Sequence, residues 1–138
     1  MSARGPSTPA ATVTGRRVRV MLVDDHELIR RSIAELLAGC SDIEVIAEAA
    51  DGSDAVDIAH AVHPDVIVMD IAMPRMTGVE ATRRIMHDLP DTRIIGLSMR
   101  DRDYMADAML DAGAAAYLNK GSASDLLLGA IRTAAGPV

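Results

Sequence analysis

Short apolar runs alternate with amphipathic stretches along the chain. An apolar run of about four residues bounded by polar residues is typical of a strand buried on both faces of a sheet. Stretches with apolar residues three and four positions apart follow each run and predict helices. The predicted strands are Arg17–Val23, Asp42–Ala49, Val66–Met69, Arg93–Ser98 and Ala115–Asn119. The alternation predicts an α/β fold in which right-handed helical crossovers cover both faces of a doubly wound parallel sheet.

The first predicted helix has an apolar stripe opposite a charged side. The stripe contains Ile29, Ile33, Leu36, Leu37 and Cys40, and the charged side contains Arg30, Arg31 and Glu35. We therefore expect Cys40 to be a buried, inert thiol. The later helices should be Ala55–Val62, 79–89, Arg102–Ala112 and Ser122–Ala135.

Turn residues mark the ends of several of these helices. Asp51-Gly52-Ser53 supplies a turn whose Ser53 hydroxyl should cap the second helix. Gly78 should allow an unusual φ angle before the third helix. Gly113 should stop the fourth helix.

Polar side chains follow several strands at the point where each strand ends. The third run ends in a carboxylate, Asp70, which we expect to be exposed at a crevice. Asp24-Asp25, Ser98 and Lys120 follow three other strands. Because the carboxyl ends of parallel strands share one edge, these side chains should meet there if the strands are neighbours.

Three carboxylates at one edge require neutralisation. Two like charges about 4 Å apart repel by about 4 kcal/mol at an effective dielectric of 20. Oxygen ligands alone suit Mg²⁺, and Ser98 with Lys120 would complement a phosphoryl group carried on Asp70. The alternatives are that Asp24-Asp25 only caps a helix, and that His26 opens that helix rather than binding metal.

The chain resembles a response-regulator receiver domain of two-component signalling. The segments VMLVDDHELIRRSIAELL and MDIAMPRMTGVEATRRI are similar to the NarL/FixJ-type (LuxR-like) branch, and the likeness covers 18–135. The resemblance implies a flavodoxin-like (βα)5 fold with strand order 2-1-3-4-5. It also implies that Asp70 accepts a phosphoryl group from a sensor histidine kinase.

The resemblance assigns the remaining site residues. It implies Mg²⁺ (or Mn²⁺) bound by Asp25 directly, by Asp24 through water, by Asp70 and by the Ala72 carbonyl. The implied phosphoryl contacts are Ser98 and Lys120, the switch pair is Ser98 and Tyr117, and the hydrolysis-tuning residues are Ala72, Met99 and Arg100.

The implied function is a switch rather than an enzyme. It is limited to self-catalysed transfer onto Asp70 and slow autodephosphorylation, and activation would change the surface of helix 4, strand 5 and helix 5. A haloacid-dehalogenase-like phosphatase would need an acid where Ala72 stands. A dinucleotide-binding module would need a phosphate-binding loop where Asp24-Asp25 stands. The alternative is a stand-alone or phosphorylation-independent receiver acting through protein contacts.

Composition limits the partners. A net charge of −6 with 49% apolar residues indicates one globular domain without a nucleic-acid surface. No apolar run is long enough to span a membrane, so we expect a cytoplasmic protein. The predicted organisation is a disordered extension at 1–16, the domain at 17–135, and the start of a linker at 136–138 to an output domain, whose function would be transcriptional. A homodimer is a further expected partner, with one residue of Leu126-Leu127-Leu128 at an interface.

Overall fold

The computed structural model describes residues 16–71, 73, 76–98, 105–119 and 124–136. Five strands alternate with five helices. In chain order the elements are β1 (Val18–Val23), α1 (Glu27–Ala38), β2 (Ile43–Ala49), α2 (Gly52–Val62), β3 (Val66–Asp70), α3 (Gly78–Asp88), β4 (Arg93–Ser98), α4 (Met105–Asp111), β5 (Ala116–Asn119) and α5 (Ser124–Ala135). The predicted strands are confirmed to within one residue at each end. The predicted first residues of the fourth and fifth helices lie outside the described residues.

The strands form one parallel sheet in the order β2-β1-β3-β4-β5. This order, and with it the flavodoxin-like class, is confirmed. β3 lies at the centre, and all five of its residues are buried. Its apolar run is continuous because helices cover both faces of the sheet.

Two apolar layers fill the spaces between the sheet and its helices. Residues of α2, α3 and α4 pack on one face, with Ile85 and Met109 fully buried. Residues of α1 and α5 pack on the other, with Leu37 and Ile131 fully buried. Successive strand residues point to opposite faces of the sheet, so each strand contributes apolar side chains to both layers.

Side chains cap two of the helices. The carboxylate of Asp51, which is only 3% exposed, accepts a hydrogen bond of 2.9 Å from the backbone N–H of Asp54. Asp51 therefore caps α2, and the prediction that the Ser53 hydroxyl does so is wrong, because Ser53 lies inside the first turn. The Thr77 hydroxyl caps α3 by accepting from Glu80 N at 3.2 Å. Gly113, with φ of 115°, follows the end of α4 as predicted.

Gly78 is required for a different reason from the one predicted. It is the first residue of α3 and does not have a positive φ angle. A Cβ atom at Gly78 would lie 2.3 Å from the Asp70 carbonyl oxygen and 2.6 Å from Ile71 Cα. The glycine is needed because the helix begins directly against the end of β3.

Cys40 and the leucines of α5 differ in how far they are buried. Cys40 is half-buried and lies beyond the end of α1, so it is not the fully buried helical thiol that the stripe predicts. Of the three successive leucines of α5, Leu127 is buried and Leu126 is 56% exposed. Within the described parts of the chain, no helix has the length and apolar character that crossing a membrane requires.

Candidate functional site

The sheet brings two acidic strand ends side by side. Val23 of β1 pairs with Met69 of β3, so Asp24, the first residue after β1, and Asp70, the last residue of β3, lie at the same edge. One ligand atom from each of Asp24, Asp25, His26 and Asp70 lies within 4.8 Å of every other. The structure therefore places the three predicted carboxylates together and adds an imidazole to them.

Two of these carboxylates are buried, contrary to the expectation of an exposed Asp70. Asp24 and Asp70 are each 2% exposed, whereas the Asp25 side chain is 30% exposed. Beyond Asp70, Ile71 and Met73 are also buried, and Gly78 lies against the Asp70 backbone. Tertiary packing thus encloses a carboxylate that its position after a strand had suggested would face solvent.

Backbone contacts hold Asp24 in position. Its N–H donates to the Ala49 carbonyl of β2 at 3.1 Å. Its Oδ1 accepts a 2.8 Å hydrogen bond from the backbone N–H of His26. These contacts orient Asp24 from both its backbone and its side chain.

His26 lies at the start of α1 and also within the acidic cluster. It occupies the N-cap position without a side-chain cap hydrogen bond. Its Nδ1 is 3.2 Å from Asp24 Oδ1 and 3.1 Å from Asp25 Oδ1. Both alternatives weighed from the sequence are therefore compatible with its location, since the same residue opens the helix and presents a nitrogen to the carboxylates.

Arg30, which the sequence pattern places on the charged side of α1, contacts the backbone of the acidic cluster. Its Nη1 donates to the Asp24 carbonyl at 2.5 Å and its Nε donates to Glu48 Oε1 at 2.8 Å. The side chain is only 18% exposed. The sequence contains a feature that could have indicated this burial. Arg30 precedes the buried Leu37 by seven residues, or about two helical turns, so both side chains lie on the same side of the helix.

Ser98 ends the strand on the other side of β3. Leu97 of β4 pairs with Asp70, so Ser98 lies one residue beyond the strand neighbour of Asp70. Ser98 is 3% exposed and pairs with Asn119, the last residue of β5. Lys120 follows Asn119 in the chain. Four predicted site residues lie outside the described residues: Ala72, Met99, Arg100 and Lys120.

Tyr117, the predicted switch residue, is half-buried in β5 beside the first apolar layer. A Cβ atom added to Gly96 of β4 would lie 2.8 Å from Tyr117 Cδ1 and 2.8 Å from Met109 Cε. The ring of Tyr117 and the end of Met109 therefore both pack over a strand position that has no side chain.

The donor set fits a hard divalent cation. Carboxylate oxygens are the ligands that Mg²⁺ prefers, and two buried anions next to a third repel one another until a cation compensates them. The dipole at the N-terminus of α1 stabilises the nearby carboxylates, but it supplies only a partial positive charge and does not neutralise them. Asp24, Asp25 and Asp70 are therefore suited to hold such an ion.

The fold and the cluster of carboxylates together define a flavodoxin-like domain whose acidic residues, at the carboxyl ends of the strands, are suited to bind a metal ion. The chain belongs to the response regulator receiver domain family, whose model matches residues 20–132.

Relatives and solved structures agree with the resemblance to the NarL/FixJ-type branch. The chain is 44% identical over 117 residues to the transcriptional regulatory protein LiaR of Bacillus subtilis, covering 85% of this chain and 56% of LiaR. It is 37% identical over 123 residues to DegU of Brevibacillus brevis, covering 89% and 52%. The chain thus spans about half the length of these curated relatives.

Two solved structures have the same fold. A LuxR-family response regulator from Aurantimonas sp. superposes with a TM-score of 0.82 at 34% identity, covering 86% of this chain and 85% of that one. The receiver domain of the putative response regulator NarL from Mycobacterium tuberculosis gives 0.81 at 30% identity, covering 89% and 100%.

Proposed function

We propose that this receiver domain is a phosphorylation switch in which Asp70 accepts a phosphoryl group from a sensor histidine kinase. The observation that carries this proposal is the convergence of Asp24, Asp25 and Asp70 within one 4.8 Å cluster at the end of β3. Asp70 is the member that belongs to the central strand, between the acids that follow β1 and the hydroxyl that ends β4.

The metal in this proposal is Mg²⁺ or Mn²⁺. Asp25 would bind it directly, Asp24 largely through water, and Asp70 and the Ala72 carbonyl would complete the protein ligands. The bound cation supplies charge neutralisation for the transferring phosphoryl group.

Asp70 acts as the nucleophile. One carboxylate oxygen attacks phosphorus, the new P–O bond forms as the P–N bond of the phosphohistidine breaks, and the electron pair of that bond returns to the leaving imidazole. Lys120 would neutralise a phosphoryl oxygen, and the hydroxyl of Ser98 would donate a hydrogen bond to another. Water later cleaves the acyl phosphate, at a rate that Ala72, Met99 and Arg100 would tune. In this proposal the chain acts as a switch, and its chemistry is limited to self-catalysed phosphotransfer onto Asp70 and slow autodephosphorylation.

The switch would couple Ser98 to Tyr117. Ser98 moves toward the phosphoryl group with the loop that follows β4, and the Tyr117 ring responds because it packs beside the same strand. The changed surface would be that of α4, β5 and α5, which presents Leu110 at 47% exposure and Leu126 at 56%.

In this proposal the protein is cytoplasmic, and its output domain regulates transcription. LiaR and DegU are named as transcriptional regulatory proteins and are about twice the matched length. This chain, with a net charge of −6, would contact its own output domain or a second copy of itself rather than DNA. The alternative is a stand-alone receiver that acts through protein contacts without phosphorylation.

Intact mass after incubation with acetyl phosphate and Mg²⁺ tests the proposal. We expect wild type to gain the mass of one phosphoryl group and Asp70→Asn to gain none. Asp107→Asn, which alters an exposed carboxylate of α4, is the matched control and should react as wild type does. If wild type is folded and is stabilised by Mg²⁺ but gains no phosphoryl group, the result would favour the phosphorylation-independent alternative.

A further inference from the structure

The guanidinium of Arg30 connects three parts of the domain next to the acidic cluster. Arg30 belongs to α1, and its Nη1 donates to the backbone carbonyl of Asp24 at 2.5 Å. Its Nε donates to Oε1 of Glu48 in β2 at 2.8 Å. A single rigid side chain therefore joins the acidic loop to the neighbouring strand.

These contacts close a ring. Ala49, the residue after Glu48, accepts the backbone N–H of Asp24 at 3.1 Å. Asp24 is therefore connected to β2 in two ways. Its N–H bonds directly to Ala49, and its carbonyl bonds to Arg30, which in turn bonds to Glu48. Rotation of the peptide after Asp24 would break the contact with Arg30, and that peptide leads directly into Asp25.

We propose that Arg30 is a positioning residue for the cation site, acting through the Asp24 carbonyl to hold the carboxylates of Asp24 and Asp25 in place. This inference rests on the metal site of the proposed function. Groups that orient metal ligands without touching the metal typically change metal affinity by 10–100-fold when removed. The fork of a guanidinium suits this role because its donors are fixed relative to one another.

Charge and geometry make opposite predictions for removal of this side chain. An arginine beside a cation site disfavours a divalent cation electrostatically, so loss of its charge alone would tighten Mg²⁺ binding. Loss of the hydrogen bonds would loosen the ligands and weaken binding. Weaker binding after charge removal therefore identifies positioning rather than a general field effect.

Arg31 supplies a matched control on the same helix. Its side chain is 60% exposed and its Nη2 lies 3.0 Å from Glu27 Oε2, an exposed pair within one helix turn. Arg31→Gln removes the same charge and one surface hydrogen bond without touching Asp24 or Glu48. Arg30→Lys keeps the charge but replaces the fork with a single ammonium.

The experiment is calorimetric titration of the full chain with Mg²⁺, after circular dichroism has established that each variant is folded. We expect Arg30→Gln and Arg30→Lys to weaken Mg²⁺ binding by roughly tenfold, the lower end of the usual range. Glu48→Gln should weaken it less, because a neutral acceptor remains. Arg31→Gln should bind as wild type does.

A second readout separates positioning from general loss of structure. In the acetyl phosphate reaction, the Mg²⁺ concentration that gives half the maximal rate should rise for Arg30→Gln in parallel with the calorimetric change. The rate at saturating Mg²⁺ should approach that of wild type. Should Arg30→Gln be unfolded, Arg30→Lys and Glu48→Gln carry the same comparison.

Three results would overturn the inference. Unchanged or tighter Mg²⁺ binding in Arg30→Gln would assign Arg30 to electrostatics or stability alone. Full affinity in Arg30→Lys would show that the fork of the guanidinium is not required for Mg²⁺ binding. Equal weakening in Arg31→Gln would remove the special role of the contact with Asp24. If wild type itself fails to bind Mg²⁺, the proposed metal site fails first, which distinguishes the two proposals.

Discussion

His60 of α2 and Asp88 of α3 are joined by a 2.9 Å contact between Nε2 and Oδ2. The other ring nitrogen of His60 lies 2.7 Å from the Val56 carbonyl oxygen. Both nitrogens therefore face acceptors, and only the imidazolium can donate to both. The Val56 carbonyl, followed by the Asp88 carboxylate, raises the pKa of His60 above its ordinary value of 6.5, and Asp57 adds a smaller contribution.

The contact between His60 and Asp88 predicts a pH-dependent stability. A raised His pKa stabilises the fold fully below about pH 6.5, and the contribution is lost as the pH rises through the folded-state pKa. Hydrogen bonds from His87 and then His60 lower the pKa of Asp88 below 3.8, so its contribution is lost only as the pH falls through that lowered value. The contact is therefore complete near pH 5.5.

Urea unfolding of wild type and His60→Gln at about pH 5.5 and about pH 8.5 tests this prediction. We expect the variant to be less stable than wild type at the lower pH and nearly equal to it at the higher one. His87→Gln is the control, because His87 contacts Asp88 from the adjacent position and does not bridge two helices. A stability difference that is the same at both pH values would contradict the prediction.

A second ion pair ties α5 to the segment before β2. Arg132 donates from Nε to Asp42 Oδ2 at 2.8 Å and from Nη2 to Oδ1 at 3.0 Å. Arg132 holds the pKa of Asp42 below 3.8. We expect Asp42→Asn to lower the free energy of unfolding by about 0.5–1 kcal/mol near pH 7, because partly exposed pairs contribute little.

The pH dependence of this pair has the opposite sign to that of His60. The contribution of Asp42 is present above its ordinary pKa and is lost as the pH falls through the lowered one. Wild type and Asp42→Asn should therefore converge in strong acid, as measured by thermal unfolding. Glu27→Gln, which breaks a more exposed pair with Arg31, should have a smaller effect at neutral pH. An Asp42→Asn difference that persists unchanged in acid would be inconsistent with the ion pair.

Two glycines should respond oppositely to alanine. At Gly78 the new Cβ would be 2.3 Å from the Asp70 carbonyl oxygen, and backbone must shift to accept it. We expect Gly78→Ala to destabilise the domain by about 2–3 kcal/mol and to weaken Mg²⁺ binding, since Asp70 moves with that backbone. A Cβ atom at Gly129 in α5 would meet no atom within 4 Å, so Gly129→Ala should stabilise by about 0.5–1 kcal/mol. Denaturant unfolding of both variants tests the pair, and equal effects would disprove the close approach.

Gly96 should control the position of the Tyr117 ring. A Cβ atom at Gly96 would lie 2.8 Å from both Tyr117 Cδ1 and Met109 Cε, which are ends or edges of side chains and can move. We expect Gly96→Ala to turn the ring outward and to raise iodide quenching of its fluorescence. The chain has two tyrosines and no tryptophan, so a Tyr104→Phe background isolates the signal. Unchanged quenching would indicate that Met109 alone gives way.

Local pattern was sufficient for the elements themselves. Strand and helix periodicities depend on residues close in the chain, which is why the five strands, the position of Gly113 and the exposure of one α5 leucine could be predicted. The order 2-1-3-4-5 came from resemblance, and it places Asp24 next to Asp70. Periodicity alone cannot give that order, because strand pairing joins residues far apart in sequence.

What only the tertiary structure decided are the contacts between elements. The sequence alone placed Asp70 at the end of a strand, but the burial of its side chain is a property of the assembled tertiary structure. The sequence pattern put Arg30 on the charged side of its helix, but the side chain is largely buried because the carbonyl of Asp24 and the carboxylate of Glu48 accept its hydrogen bonds. A charged side chain can be buried where partners from other elements satisfy it, and those partners are known only once the sheet has assembled.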